Sequence, residues 1–212
     1  IGSALIKFIR ANSLLITDDG LGRLVLKTVS DSEKASGSLE CGKNILEGTR
    51  ETDVASIFKH YVVVGQGADP KSVRTTPGNA LKGQADNGNL NRERWSISEQ
   101  SGNRTEAELK KRASNLMISS IGNADKFTYK VQGWRQEDGK LWEPGMRVHV
   151  KDRLLDFEGD LIAENVTYAL DENGSTTTMI LKAKESYTVT DLPEKDAVAG
   201  TKIKKVVAKA KN

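Results

Sequence analysis

FTYKVQGWRQEDGKLWEPGMRVHV, residues Phe127–Val150, is the stretch on which the fold turns. Phe127, Tyr129 and Val131 alternate with Thr128, Lys130 and Gln132, the period of two that a strand with one buried face requires. The spacing predicts a strand over Phe127–Trp134. Asp138-Gly139 is a turn pair, since both residues accept a positive φ at low cost, and Pro144-Gly145 adds a second bend. Met146, Val148 and Val150 then alternate with Arg147 and His149. The expected product is an antiparallel unit with Trp134 and Trp142 near its turn, where large rings either close the end of a small barrel or lie at a protein interface.

Working outward, Ile162, Val166, Tyr168 and Leu170 form one alternating run, and Thr177, Met179, Leu181 and Ala183 lie on one side of the next. With the 127–150 unit these make an antiparallel meander of four strands. Strands near 44–50 and 58–65 raise the number to six or more, enough to close a small barrel and hide its edges. The clearest helix spans 104–121, with Asn103 as cap, Glu106 reaching back to it, and a stripe of Leu109, Ala113, Leu116, Met117 and Ile121. Gly122-Asn123 is read as its stop, and the stripe is expected to lie against the sheet that begins at Phe127.

Upstream, Leu5, Phe8 and Ile9 share one face of a short helix. Leu14–Ile16 and Leu24–Leu26 flank Asp18-Asp19-Gly20 as a hairpin. Residues 1–30 are therefore read as part of an α/β subdomain and 31–43, rich in Ser, Gly, Glu and Lys, as a linker. A β-barrel domain is expected at 44–186, carrying a long polar loop at 68–93 and the helix at 104–121. Residues 187–212 form a Lys-rich, flexible tail. The fold class expected is α+β, mainly β: a small antiparallel β-barrel packed with one or two helices. Arg92, Arg94 and Trp95 end the long loop with side chains common in contact surfaces, although a basic loop edge beside a packing Trp accounts for them equally.

Composition points to a water-soluble chain. Of 212 residues, 37% are hydrophobic and 29% charged, which suits one or two modest cores under a solvated surface. No apolar run is long enough to cross a bilayer, so membrane insertion is not expected. The lone Cys41 has no intramolecular partner for a disulfide, which fits a reducing compartment. Net charge is +3, but Lys202, Lys204, Lys205, Lys209 and Lys211 crowd the end and leave the body near neutral. Such a tail can touch nucleic acid or an acidic surface, or simply be solvated. The chain starts without Met inside an apparent helix, so it is expected to be the later part of a longer protein.

No motif equips it for chemistry. Gly65-Gln66-Gly67 lacks the third glycine of a phosphate loop, with Pro70 in its place. Asp18 and Asp19 read as a turn in the absence of a nearby His or third carboxylate. His60 and His149 lie in alternating strands without metal-ligand spacing. Ser36-Gly37-Ser38 lacks the strand-to-helix elbow of a nucleophilic serine, and Glu158 and Asp160 flank an ordinary glycine turn. No catalytic residue, metal or cofactor is expected.

Three segments carry a resemblance: Val64-Gly65-Gln66-Gly67, Gln132-Gly133-Trp134-Arg135 and Leu141-Trp142-Glu143-Pro144-Gly145, in the order helix, LLITDDGLGRLVLK, capped helix and closing strand pair. Residues 1–186 resemble the later half of the baseplate hub protein of Mu-like contractile-tailed bacteriophages. That group is similar to phage late control protein D and to the hub-like part of type VI secretion spikes. The resemblance implies a non-enzymatic structural protein of the virion tail baseplate, assembled in the host cytoplasm. It implies a homotrimer whose subunits each give two barrels to a pseudo-sixfold ring, joining tail tube to central spike and passing DNA during ejection. One of those barrels is expected here. Trp95, Trp134 and Trp142, with Arg92, Arg94 and Arg135, are the candidate interface or barrel-closing residues. The rival classes are a tail-associated cell-wall hydrolase and the hub part of a secretion spike.

Overall fold

The structure, a computed structural model, describes residues 6, 14–18, 21–29, 33–67, 81–172 and 174–188. The helix expected around Leu5, the residues Asp19-Gly20 and nearly all of the tail lie outside these. The architecture is mainly β, with one long helix among the described residues.

The larger sheet has six strands: β3 (Lys34–Glu40), β4 (Ile45–Thr52), β8 (Asp125–Gln132), β9 (Arg147–Asp152), β10 (Phe157–Asp171) and β11 (Gly174–Lys182). Their spatial order is β3-β9-β10-β11-β8-β4, antiparallel except for the β3–β9 pair. Alternation gives the core directly. Phe127, Tyr129 and Val131 of β8 point inward beside Val148 and Val150 of β9, Leu161 and Ala163 of β10, and Met179 and Leu181 of β11. Each large side chain so buried contributes about 1.5–3 kcal/mol.

Two expectations are corrected here. The 127–150 stretch is not a pair of adjacent strands: β8 and β9 are separated by β10 and β11. Asp138-Gly139 does reverse the chain, with Gly139 at φ 83° and Arg135 bridging Leu141, but only within the connection. Gly145, at φ 86°, then donates its N–H to the Ala163 carbonyl and delivers β9 against β10. Nor is a closed barrel found among the described residues. The edge strands β3 and β4 are consecutive in the chain, yet they meet at a single bridge, Cys41 to Ile45. Side chains stand in along β3: Gln136 Oε1 accepts from the Ser36 N–H at 2.9 Å. Asn44 accepts from the Glu40 N–H and donates to the Ser38 carbonyl.

Lys34–Glu40 was expected within the linker, but it is a strand with Ala35, Gly37 and Leu39 turned inward. Its small residues bury a face without announcing one.

The second sheet has three strands, β6 (Leu81–Asp86), β5 (His60–Gly67) and β7 (Trp95–Arg104), with β5 central, antiparallel to β6 and parallel to β7. The strand expected near 58–65 therefore belongs here and not to the larger sheet. β6 also takes the middle of the expected 68–93 loop; its Leu81 and Ala85 alternate inward around Gly83.

Helix α1 (Glu106–Ala124) packs on this smaller sheet, contrary to expectation, burying Leu109 and Ala113 against Tyr61 and Val63. Gly83 admits it: a Cβ there would lie 2.1 Å from the helix backbone at Leu109 and Lys110. The cap is Thr105, paired with Glu108, because β7 still runs through Asn103 and Arg104. Gly122 is no stop either; it lies inside α1, where a Cβ would meet Ser186 N at 2.4 Å in a closing 3-10 turn, Lys184–Tyr187. The hairpin of β1 (Leu14–Asp18) and β2 (Leu24–Thr28) docks by Leu15 on Ile162, and Lys27 Nζ donates to the Pro144 carbonyl at 2.9 Å.

Candidate interaction surfaces

Exposed apolar side chains on strands are the candidate contact groups, and two places combine them with an exposed tryptophan.

The first is the face of the three-stranded sheet away from α1. Because α1 covers one side, the alternate residues of each strand point the other way: His60, Val62 and Val64 on β5, and Trp95 and Ile97 on β7. The parallel register sets His60 beside Trp95 and Val62 beside Ile97. Trp95 is 54% exposed and Ile97 71%. The Trp95 indole stacks on the His60 ring at 4.2 Å between centroids. Carboxylates rim the pair, with Asp86 and Glu93 hydrogen-bonded to the two nitrogens of His60.

The second is the end of the larger sheet. Trp134 Nε1 donates to the Ala169 carbonyl at 3.0 Å and its ring meets Tyr168 edge-on. The Tyr168 hydroxyl donates to the Trp142 carbonyl, tying β10 to the 133–146 connection. Leu170, 73% exposed, extends the patch along β10.

The six candidates thus divide. Trp95 and Trp134 stand on the two surfaces, whereas Trp142 is only 4% exposed and sits in the core among Met146 and its neighbours. Arg94 is a staple: its guanidinium lies 4.7 Å from the Phe58 ring centroid and donates to the Val54 and Ala55 carbonyls. Arg135 donates to Gly139 across its own turn, and Arg92 is exposed. Sequence reasoning did not single out Ile97 or Leu170. Alternation held the signal for Ile97, which falls on the side of β7 opposite buried Gln100; Leu170 shares the side of core-packed Val166 and is exposed because β10 runs past the end of the core.

Catalytic alternatives gain no geometry. Among the described residues no group of three His, Cys, Asp or Glu side chains is placed to hold a metal ion. His149 Nδ1 pairs with Asp160 at 2.7 Å on an exposed strand face, and Glu158 lies exposed opposite Lys151. Burial pushes the Tyr129 phenol well above its ordinary pKa, which leaves it a neutral core residue. No helix of the described residues is long and apolar enough to cross a membrane.

Comparison with known proteins follows the same line. Residues 105–190 match the family model described as Mu phage baseplate assembly protein GpP, fourth domain. The chain is 26% identical over 192 residues to the baseplate hub protein gp44 of Escherichia phage Mu, covering 88% of this chain and 50% of the Mu protein. Its fold is similar to the 43 kDa tail protein of prophage MuSo2 from Shewanella oneidensis, with a TM-score of 0.71 at 22% identity, over 87% of this chain and 55% of that one. It is equally similar to a tail protein of Neisseria meningitidis MC58, with a TM-score of 0.70 at 22% identity, over 90% and 57%. The chain spans about half the length of the relatives it matches. The resemblance to baseplate hub proteins of Mu-like phages, carried first by the order and spacing of motifs, is shown by these matches.

Proposed function

We propose that this chain is a structural, non-enzymatic part of a phage tail baseplate, and that it works as a segment of a homotrimeric hub ring between the tail tube and the central spike. The match to the Mu baseplate hub over most of the chain carries this reading. The six-stranded sheet with its aliphatic and aromatic core is then a wall segment of the ring, through which DNA passes during ejection. The open face around Trp95 and Ile97 and the end formed by Trp134, Tyr168 and Leu170 are the surfaces assigned to neighbouring subunits, spike or tube. Exposed rings and aliphatics on rigid strands suit that role, because they bury large area at low entropic cost. Arg92 is an exposed candidate contact, and Arg94 and Arg135 hold their loops in place.

Sedimentation analysis of the full-length protein, together with its detection in purified tails, tests the proposal. A trimer found in tail particles is expected. A strictly monomeric full-length protein absent from tails would overturn it, as would release of soluble fragments from purified peptidoglycan.

A further inference from the structure

The imidazole at the start of β5 is enclosed by charge. Nδ1 of His60 lies 2.5 Å from Asp86 Oδ1 at the end of β6, and Nε2 lies 2.7 Å from Glu93 Oε2 on the connection into β7. A neutral ring has one N–H, so one of these contacts would set a lone pair against a carboxylate; only the imidazolium donates at both nitrogens. The remaining neighbours complete a balanced set. Lys59, just before β5, pairs with Glu93, Gln84 of β6 donates to Asp86 at 2.9 Å, and Trp95 of β7 stacks on the ring, an arrangement that favours a cation over the indole face. Helix α1 lies on the opposite side of the sheet and contributes no charge here. Two cations thus face two anions, with the His60 side chain 16% exposed.

The same residues hold a segment in place. Lys59 and His60 both donate backbone N–H groups to the Arg94 carbonyl at 3.0 Å, and the Asn87 N–H donates to the Lys59 carbonyl at 2.7 Å. The ends of the connection are tied through main chain; Glu93 and Asp86 are tied through His60.

We propose that His60 is a protonation-dependent latch: as the imidazolium it pins the 87–94 connection and Trp95 to the three-stranded sheet, and on losing its proton it lets go of one carboxylate. This goes beyond the baseplate reading and stands on the chain alone. Hydrogen bonds to Asp86 and then Glu93 hold the His60 pKa above its ordinary value. A group so raised stabilises the fold fully below its unfolded pKa and loses that contribution as pH climbs through the folded value. The latch therefore holds below the ordinary imidazole pKa, down to the pH at which Asp86 and Glu93 take up protons, and opens as pH rises through the raised value.

NMR titration of the full chain tests this, since its two histidines give separate ring signals that His149→Gln assigns. The expected His60 midpoint lies above the ordinary ~6.5 of a solvated imidazole. Glu93→Gln and Asp86→Asn should each lower it. Protection of the Lys59 and His60 amides from hydrogen exchange, corrected for intrinsic rates, should fall several-fold as pH passes that midpoint. A midpoint at or below the ordinary value, or amide protection with no inflection there, would overturn the proposal. Glu93→Gln leaves the ring in place, so the midpoint comparison does not depend on any His60 variant folding.

Discussion

Gly83 is a residue whose identity is dictated by a distance. With helix backbone 2.1 Å from where its Cβ would stand, Gly83→Ala must push α1 off β6. A loss of about 1–3 kcal/mol is expected, the range for forcing an extra methyl into packed structure, and urea unfolding measures it. An unshifted midpoint would mean that the helix rides higher than described. Trp142 tests the opposite operation. Its ring fills the core at 4% exposure, so Trp142→Ala should cost about 3–5 kcal/mol and lower the melting temperature accordingly. Asp125 answers to pH. Two hydrogen bonds from Arg50, at 3.2 and 2.8 Å, hold its carboxyl below the ordinary range, and Thr52 assists at 2.6 Å. A depressed carboxylate stabilises above its unfolded pKa and loses that contribution as pH falls through the folded one. Wild type should therefore exceed Asp125→Asn by about 0.5–1 kcal/mol at neutrality, and the gap should vanish in strong acid.

At the scale of elements, the helix start shows how a readable pattern can be misplaced. Asn103-x-x-Glu106 and Thr105-x-x-Glu108 both satisfy a capping box, and only the length of β7 chooses the second, where Thr105 N donates to Glu108 at 2.9 Å. Thr105→Ala should lose about 1 kcal/mol while Thr105→Ser keeps most of it, as thermal melts would show. Equal melting of all three would move the cap elsewhere. Alternation made β5, β8, β9, β10 and β11 legible, because a period of two is a local property of the chain. Which strand lies beside which is not local. β5 looks as suited to the larger sheet as to its own, and its place follows from Gly65 and Gly83 admitting Leu109, a fit that only three dimensions display. β3 was hidden for another reason: Ala35 and Gly37 bury a face with too little side chain to mark it. The candidate site was legible in its tryptophans. Of its aliphatic half, Ile97 had the right alternation but no unusual residue to draw notice, and Leu170 reads as a core position until the end of the core is seen.

For the whole molecule, the two exposed patches make a joint prediction. Ile97 and Leu170 touch so little of their own chain that Ile97→Asp and Leu170→Asp should each leave unfolding within about 0.5 kcal/mol of wild type. If either surface meets a neighbour in the assembly, its variant should sediment as a smaller species and be depleted from tails. Native mass and full incorporation for both variants would remove these surfaces from the proposed ring. The meeting of β3 and β4 has its own consequence. Two edges that touch at one point part there first, so slow breathing of this sheet should start as an unzipping from Cys41 and Ile45, with β3 and β4 exchanging their amides well before β8 and β11, which are paired on both sides.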